Sequence, residues 1–262
     1  MNNLNYNPES KIHPDQEIIM APKRTDDLKG YKRVSPVELR AMYGMFINHD
    51  NLSMPMIQYM GMMLDIIRSM TSYKGVHLCK FPLDTWIFQE IIYERKPSII
   101  IELGNQCGGS TMMLRDYLFN SDIKDAKGII AVDLNRTKLS PKAKQYPDIE
   151  WIDGDCLDPE VIDRVADLIS PDDRVMIIDD SLHEYDHTLD LLNKYNHLVT
   201  RGQYFIIEDT VIGEFIPLGN ERHRAYQAVK KFMEGNKSFQ IDRYREKWFL
   251  TLNPEGYLEK IR

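Results

Sequence analysis

Four carboxylates follow two of the most apolar runs in the chain: Asp179 and Asp180 end one run, and Glu208 and Asp209 end the other. If both runs are parallel strands, their carboxyl ends meet at the edge where open α/β sheets bind ligands. Carboxylates brought together raise one another's pKa values, so a bound cation is the natural way to keep several ionised. Oxygen ligands without cysteine favour Mg²⁺, with Mn²⁺ or Ca²⁺ as alternatives. The competing interpretation is one helix-capping aspartate among solvated neighbours.

A histidine stands close to the first acidic pair. His183 lies three residues beyond Asp180, on the predicted loop into the next helix. An unperturbed imidazole titrates near ~6.5 and can accept a proton at neutral pH. A metal-bound hydroxyl is easier to deprotonate, so the imidazole and the carboxylates together indicate activation of a substrate hydroxyl. A lone histidine is more often structural, and His187 could share a helical face with His183 or serve in capping or packing.

Glycines mark the end of the first predicted strand, in IELGNQCGGS over residues 101–110. Gly104, Gly108 and Gly109 let the backbone turn sharply before a helix, but the spacing G-x-x-x-G-G differs from the dinucleotide fingerprint G-x-G-x-x-G. Glu102, just before the first glycine, would sit badly beside a pyrophosphate and suits a ligand with an ammonium group. S-Adenosylmethionine carries such a group, so the loop favours it over a nicotinamide dinucleotide.

Two further acidic strand ends fit a nucleoside ligand. Asp133 ends the second apolar run, where an acidic residue commonly accepts the hydrogens of a ribose diol. A helix N-cap is the alternative for this residue. Asp155 follows the third run in DGDC and could meet the adenine amino group, although a turn is the commoner reason for such a tetrapeptide.

A parallel sheet is needed to bring these residues together. Short apolar runs alternate with helical stretches, which is the pattern of βαβ units. The runs cover 98–103, 128–133, 149–152, 174–179 and 203–208, and the helix candidates cover 109–120, 158–168, 185–198 and 221–234. FQIDRY (239–244) and KWFLTL (247–252) predict a closing antiparallel hairpin. The predicted fold is α/β and Rossmann-like, with the mostly parallel seven-stranded sheet of class I methyltransferases, an analogy that leaves the chemistry open.

The chain before this domain has a different character. Residues 1–75 are predicted to form a polar arm and a helical extension that serves as a substrate lid or in oligomer contacts, ahead of a domain over 76–262. Ser35, Pro36 and Glu38 predict a capped helix start. A methionine-rich helix ending at Met70 favours adaptable core packing over a substrate mouth or a subunit interface.

Composition narrows the class of protein. A length of 262 residues suits one large domain with an extension, and a net charge of −7 argues against a nucleic-acid partner. No run approaches the roughly 20 apolar residues of a membrane span, and the N-terminus is too polar for a signal peptide.

Cys79, Cys107 and Cys156 have no zinc spacing and are expected to be small buried residues in a reducing compartment. We expect a cytoplasmic homo-oligomer with a small-molecule substrate and no membrane partner.

Four segments together resemble the cephalosporin hydroxylase family: KFPLDTWIFQEIIYERKPSIIIELGNQCGGS, IDGD, DDSLHEYDHTLDLLNKYNHLVTRGQYFIIEDT and EKWFLTLNPEGYL. The resemblance covers roughly 76–262. It implies a class I methyltransferase fold that binds S-adenosylmethionine and a divalent metal, akin to macrolide-sugar O-methyltransferases of the mycinamicin type.

The resemblance also implies roles for individual residues. His183 matches the general base, and the metal ligands match Asp180, Glu208 and Asp209. It also implies that Glu102, Gly104, Ser110 and Asp133 bind the cofactor. We add three residues to this cofactor site from their own positions: Gly108 in the glycine loop, and Asp155 and Asp179 at the ends of strands.

The sequence therefore predicts an O-methyltransferase that depends on S-adenosylmethionine and Mg²⁺ and acts on a hydroxyl of a small natural product, such as a sugar or a polyketide. Two alternatives stay open: a hydroxylase component, and a non-catalytic partner that keeps the methyltransferase fold. A non-haem iron site would need two histidines and a carboxylate, whereas carboxylates dominate this set.

Overall fold

A computed structural model describes residues 56–214 and 224–262. The described helices are α1 Met56–Met70, α2 Pro82–Arg95, α3 Gly109–Phe119, α4 Pro159–Asp167, α5 Tyr185–Tyr195 and α6 Ala225–Gly235. The strands are β1 Ser72–Tyr73, β2 Val76–His77, β3 Ile99–Leu103, β4 Gly128–Asp133, β5 Ile149–Asp153, β6 Val175–Asp179, β7 Tyr204–Ile207, β8 Phe239–Ile241 and β9 Tyr257–Lys260. Short 3-10 helices cover Ala143–Gln145 and Arg243–Glu246.

The main sheet has seven strands in the order β5-β4-β3-β6-β7-β9-β8. Strands β3 to β7 pair in parallel, whereas β9 is antiparallel to both β7 and β8. Strand order reverses between β3 and β6, which makes their carboxyl ends the expected ligand-binding edge. Leu103 pairs with both Val132 and Asp179, so the loops after β3, β4 and β6 leave the sheet side by side.

Both faces of the sheet are covered, which explains why its central strands are continuous apolar runs. All five residues of β3 are buried. Ile101 belongs to the core formed with α4, α5 and α6, whereas Ile100 belongs to the core formed with α2 and α3. The alternation along the strand therefore fixes which helices pack on each face.

From residue 98 onward, the predicted strands and helices agree with the described elements except at the end of the chain. The first strand of the closing hairpin is present as β8, but the prediction for 247–252 was wrong, because the second strand is Tyr257–Lys260. The buried Asp84 accepts hydrogen bonds from Thr251 Oγ1 and from the backbone N–H of Leu252, which hold this segment off the sheet. The sequence predictions also omitted α2, which begins with proline at its first turn.

Helix α1 packs near the carboxyl edge of the sheet. Met60, Leu64 and Ile67 share a cluster of buried apolar residues with Val211 and Leu252. Of the methionines in this stretch, Met60 is buried in the cluster and Met63 packs against it, while the polar arm and the helix expected after Ser35 lie outside the described residues.

Two smaller predictions concern the cysteines and membranes. Cys107 and Cys156 are buried as predicted, but Cys79, on the loop between β2 and α2, is exposed, so the prediction was wrong for this residue. Within 56–214 and 224–262, none of the helices has the length and apolar character to cross a membrane.

Candidate functional site

The glycine loop after β3 lies against the backbone that carries the first acidic pair. Gly104 has φ +84°, and a Cβ atom there would lie 2.2 Å from the carbonyl oxygen of Asp180. Gly108 also has φ +84°, and its Cβ would lie 2.8 Å from Leu139 Cδ1. Only glycine meets both the left-handed conformation and the close approach, so the loop is built to pass directly beside Asp180.

Glu102 is fully buried beneath this loop. Thr111 donates a hydrogen bond to its Oε2, and the hydroxyl of Ser110 lies near the same carboxylate. Burial raises the pKa of Glu102, although the charge of Lys80 and these two hydroxyls oppose the change. Oε1 has no hydrogen-bond partner among the described residues, so one carboxylate oxygen is available to a cationic ligand.

Asp133 ties the loop to the end of β4. Its Oδ2 accepts hydrogen bonds from the backbone N–H groups of Asn105, at 3.0 Å, and Gln106, at 2.8 Å. The Asn105 side chain is buried, and neither its oxygen nor its nitrogen meets a partner in the described part of the chain. A buried unpaired amide costs about 1–3 kcal/mol, so a polar ligand at this position would relieve it. Asn105 was not predicted, because nothing in the sequence separates it from an ordinary loop residue.

The other two residues predicted for the cofactor differ in their surroundings. Asp155 is exposed and accepts from the backbone N–H of Leu157 at 2.9 Å, so it closes its own turn. Asp179 is buried, and its Oδ1 accepts from Ser181 Oγ at 2.5 Å. His187 Nε2 lies 3.0 Å from the same hydroxyl, so this histidine faces Ser181.

Asp180, His183 and Asp209 form a compact cluster at the carboxyl ends of β6 and β7. His183 Nε2 lies 3.4 Å from Asp180 Oδ1 and 3.7 Å from Asp209 Oδ2. Each residue offers one ligand atom, and these three atoms lie within 4.8 Å of one another. Burial alone would lower the pKa of His183, but the hydrogen bond to Asp180 and the charges of Asp209, Asp180 and Asp179 outweigh it and raise the pKa to about 9.

A lysine that the sequence predictions missed occupies the other side of the acids. The Lys80 side chain is 1% exposed, and its Nζ lies 2.5 Å from both Asp180 Oδ2 and Glu208 Oε1. Burial would lower the pKa of Lys80, but the carboxylates of Asp180, Glu208 and Glu102 raise it well above its usual value. Burial also opposes ionisation of Asp180, yet Lys80 and His183 hold its pKa below the ordinary value. Glu208 therefore faces Lys80, outside the three-residue cluster.

These side chains fit a nucleoside with an ammonium group and a divalent cation. The free oxygen of Glu102 and the unpaired amide of Asn105 suit the polar end of the nucleoside. Carboxylate oxygens of Asp180 and Asp209 are the ligands that hard divalent cations prefer, and the imidazole of His183 lies beside them. A doubly wound sheet with this loop beside this cluster defines a methyltransferase of the class that uses S-adenosylmethionine.

Comparisons with known proteins give the family. The family model for "Rhamnosyl O-methyltransferase/CmcI" matches residues 66–261, so the chain belongs to this family. A rhamnosyl O-methyltransferase of Mycobacterium bovis is 27% identical over 197 residues, which cover 74% of this chain and 80% of that protein. Its counterpart in Mycobacterium leprae is 28% identical over 191 residues, covering 72% and 82%.

Solved structures of CmcI share the fold. A CmcI structure with Mg and SAM has a TM-score of 0.60 at 20% identity, over 92% of this chain and 90% of that chain. An apo structure of CmcI has a TM-score of 0.61 at 20% identity, over 92% and 89%. The structures confirm the predicted fold. The family model and the curated relatives confirm the predicted family resemblance and the predicted enzyme class, an S-adenosylmethionine-dependent O-methyltransferase. The roles of individual site residues stay predictions.

Proposed function

We propose that the protein transfers a methyl group from S-adenosylmethionine to a hydroxyl of a small glycosylated molecule, with the help of a divalent cation, Mg²⁺ first of all. The observation that carries this proposal is the cluster of Asp180, His183 and Asp209 directly beside the glycine loop at Gly104. The loop would hold the methyl donor, and the cluster would hold and activate the acceptor. The donor site and the acceptor site would therefore lie next to each other, at the carboxyl edge of the sheet.

The residues around the loop would bind the cofactor at several points. Glu102 and Asn105 would meet its polar amino-acid end and Asp133 its ribose, while the two left-handed glycines give the loop the turns that bring these residues together. When bound, S-adenosylmethionine supplies an electrophilic methyl group, whose bond to sulfur breaks as its bond to the acceptor oxygen forms. The protein contributes mainly orientation of the two reactants and removal of the hydroxyl proton.

His183 can accept this proton only in its neutral form. The carboxylates of Asp180 and Asp209 raise the pKa of His183, which favours the charged form before a cation binds. A divalent cation on those two carboxylates would offset their charge and lower the pKa of His183 again. The predicted base and the predicted metal ligands would therefore be coupled, because Asp180 and Asp209 would hold the cation and also set the protonation of His183. The proton would move from the acceptor oxygen to His183 Nε2.

The acceptor is proposed from the relatives and from the chemistry of the cluster. The curated relatives are named rhamnosyl O-methyltransferases, and a divalent cation suits neighbouring hydroxyls of a sugar ring. A sugar on a natural product is thus the first acceptor to test, with a polyketide hydroxyl second. The hydroxylase alternative loses support, because within the described ranges His183 is the one histidine of the cluster and His187 faces Ser181.

Calorimetry and a turnover assay test the proposal in sequence. Purified protein is titrated with S-adenosylmethionine and S-adenosylhomocysteine, with and without Mg²⁺, and then assayed for methyl transfer to a panel of rhamnosides. We expect both nucleosides to bind, and His183→Ala to keep cofactor binding but lose turnover by about 10²-fold or more. His187→Ala is the matched control and is expected to keep turnover. Absence of nucleoside binding would favour the non-catalytic alternative, and intact turnover of His183→Ala would remove His183 as the base.

A further inference from the structure

Asp209 has an unusual backbone for a residue that must aim its side chain. Its φ is +57°, in the left-handed region that is uncommon for residues other than glycine, although aspartate adopts it more readily than most. The strand ladder continues up to the preceding residue, where the N–H of Glu208 donates to the carbonyl of Asp179 at 2.9 Å. The chain therefore leaves the sheet at Asp209, and this turn directs the carboxylate to within 3.7 Å of His183. A conformation of this kind persists only when its surroundings determine it.

Asn253 is the residue whose side chain binds the backbone of this turn, beside the hydrogen bond from the N–H of Ile212 to the carbonyl of Asp209 at 3.0 Å. Asn253 Oδ1 accepts the hydrogen bond of the Asp209 backbone N–H at 2.9 Å. Its Nδ2 donates to the hydroxyl of Tyr257 at 3.3 Å, and that hydroxyl donates to Asp84 Oδ1 at 3.0 Å. Asp84, Tyr257 and Asn253 form a chain of side-chain hydrogen bonds, here named the Asp84 chain, and all three residues are buried. The direction of each hydrogen bond is set, because the carboxylate at the end can only accept.

The Asp84 chain is anchored outside the cluster. Asp84 lies in the first turn of α2, and its Oδ2 accepts from the N–H of Leu252 at 2.9 Å. The loop carrying Asn253 is also joined to the segment after β7, since Thr210 Oγ1 donates to the carbonyl of Pro254 at 2.7 Å. A helix on one face of the sheet thus holds the loop that holds Asp209.

We propose that Asn253, oriented by Tyr257 and Asp84, is a positioning residue that keeps Asp209 in its left-handed turn and its carboxylate aimed at the cation. This inference rests on the proposed function, since it assigns a role to Asn253 only if Asp209 binds a cation. An amide is required because one group must both accept from Asp209 N–H and donate to Tyr257. An aspartate would lose the donor, and a leucine would lose both.

A buried tyrosine elsewhere offers a matched control. Tyr204 is fully buried on β7, and its hydroxyl donates to Asp242 Oδ2 at 2.5 Å. It pairs with Glu259 in the antiparallel ladder, whereas Tyr257 pairs with Ile206, near the carboxyl end of β7. Tyr204→Phe and Tyr257→Phe therefore remove the same group from the same sheet, but only Tyr257 belongs to the Asp84 chain.

The test compares Mn²⁺ affinity by calorimetry and electron paramagnetic resonance in Tyr257→Phe, Asn253→Asp and Tyr204→Phe, with S-adenosylmethionine affinity as the check on folding. We expect Mn²⁺ binding to weaken by about 10-fold or more in Tyr257→Phe and Asn253→Asp, the range typical of residues that orient metal ligands. Tyr204→Phe should lower the melting temperature and leave Mn²⁺ affinity unchanged. The resonance spectrum of bound Mn²⁺ should also change in the first two variants.

The outcomes separate the two proposals. If all three variants bind Mn²⁺ as the wild type does, the positioning role of Asn253 is overturned while the cation site stands. If the wild type binds S-adenosylmethionine but no Mn²⁺, both the cation site and the positioning role fail. Should Asn253→Asp fail to fold, Tyr257→Phe alone decides, because it removes one hydroxyl and keeps the shape of the ring.

Discussion

The protonation of His183 makes the cation-free protein sensitive to pH. Burial lowers the pKa of His183, but Asp180 and Asp209 outweigh burial and raise it from 6.5 to about 9. The folded protein therefore holds the proton more tightly than the unfolded chain does. The resulting stabilisation is fully present below pH 6.5 and is lost as the pH rises through 9. One pKa unit corresponds to about 1.4 kcal/mol, so the full effect is about 3 kcal/mol. The side chain is only 13% exposed, so solvent screening reduces this value little.

Urea unfolding followed by tryptophan fluorescence measures this effect. The free energy of unfolding of the wild type and of His183→Gln is measured in the presence of a chelator at pH 6.5 and 9.5. Subtracting the change in the variant from the change in the wild type removes the contribution of groups that titrate in both proteins. Between pH 6.5 and 9.5, we expect the free energy of unfolding of the wild type to fall by about 3 kcal/mol more than that of the variant. With saturating Mg²⁺ the gap should narrow, because the cation takes over the charge of the proton. Parallel pH dependence of the two proteins in chelator would refute the reasoning, since it would mean that the cluster leaves His183 neutral.

Two further substitutions test the loop and the buried lysine. Gly104→Ala places a Cβ 2.2 Å from the Asp180 carbonyl oxygen, and we expect a destabilisation of more than about 1 kcal/mol and loss of S-adenosylmethionine binding by calorimetry. Gly235→Ala, which meets no atom within 4 Å, is its control and should bind normally. Lys80→Met leaves the buried Glu208 and the partly exposed Asp180 without the ammonium group that pairs with them. We expect the free energy of unfolding in urea to fall by about 3 to 5 kcal/mol, and Mg²⁺ to restore part of it. Unchanged stability of this variant in chelator would mean that Lys80 does not pair with the acids in solution.

The sequence was most informative at the ends of the strands. Asp133, Asp179 and Glu208 each end or directly follow an apolar run, and the sheet register brings these ends to one edge. The ends of the apolar runs were therefore enough to predict that these three acidic residues would lie at one edge of the sheet. It could not show that Glu208 faces Lys80, because 128 residues separate the two in the chain.

The rest of the site depends on contacts of this long-range kind. Asp84 accepts from Leu252, 168 residues further along the chain, and this contact also explains why residues 247–252 do not form the predicted strand. Tyr257, which belongs to the actual second strand, follows Gly256, whose Cβ would lie 2.2 Å from the carbonyl oxygen of Ile207. Apolar and aromatic residues occur in both segments, so strand propensity alone favours neither. Tertiary hydrogen bonds decide between them.

The cluster separates a fixed positive charge from an exchangeable one. Lys80 is buried, and its Nζ pairs with Asp180 Oδ2 and Glu208 Oε1. Because this ammonium group is part of the polypeptide, its positive charge always remains beside these two carboxylates. Asp209 and the second oxygen of Asp180 face His183 instead, where the compensating charge is a proton in the free protein. A divalent cation would thus compete with a proton on His183, and not with Lys80, for these oxygens. In the proposed reaction this arrangement links cation binding to the release of the proton that His183 must lose before it can act as a base.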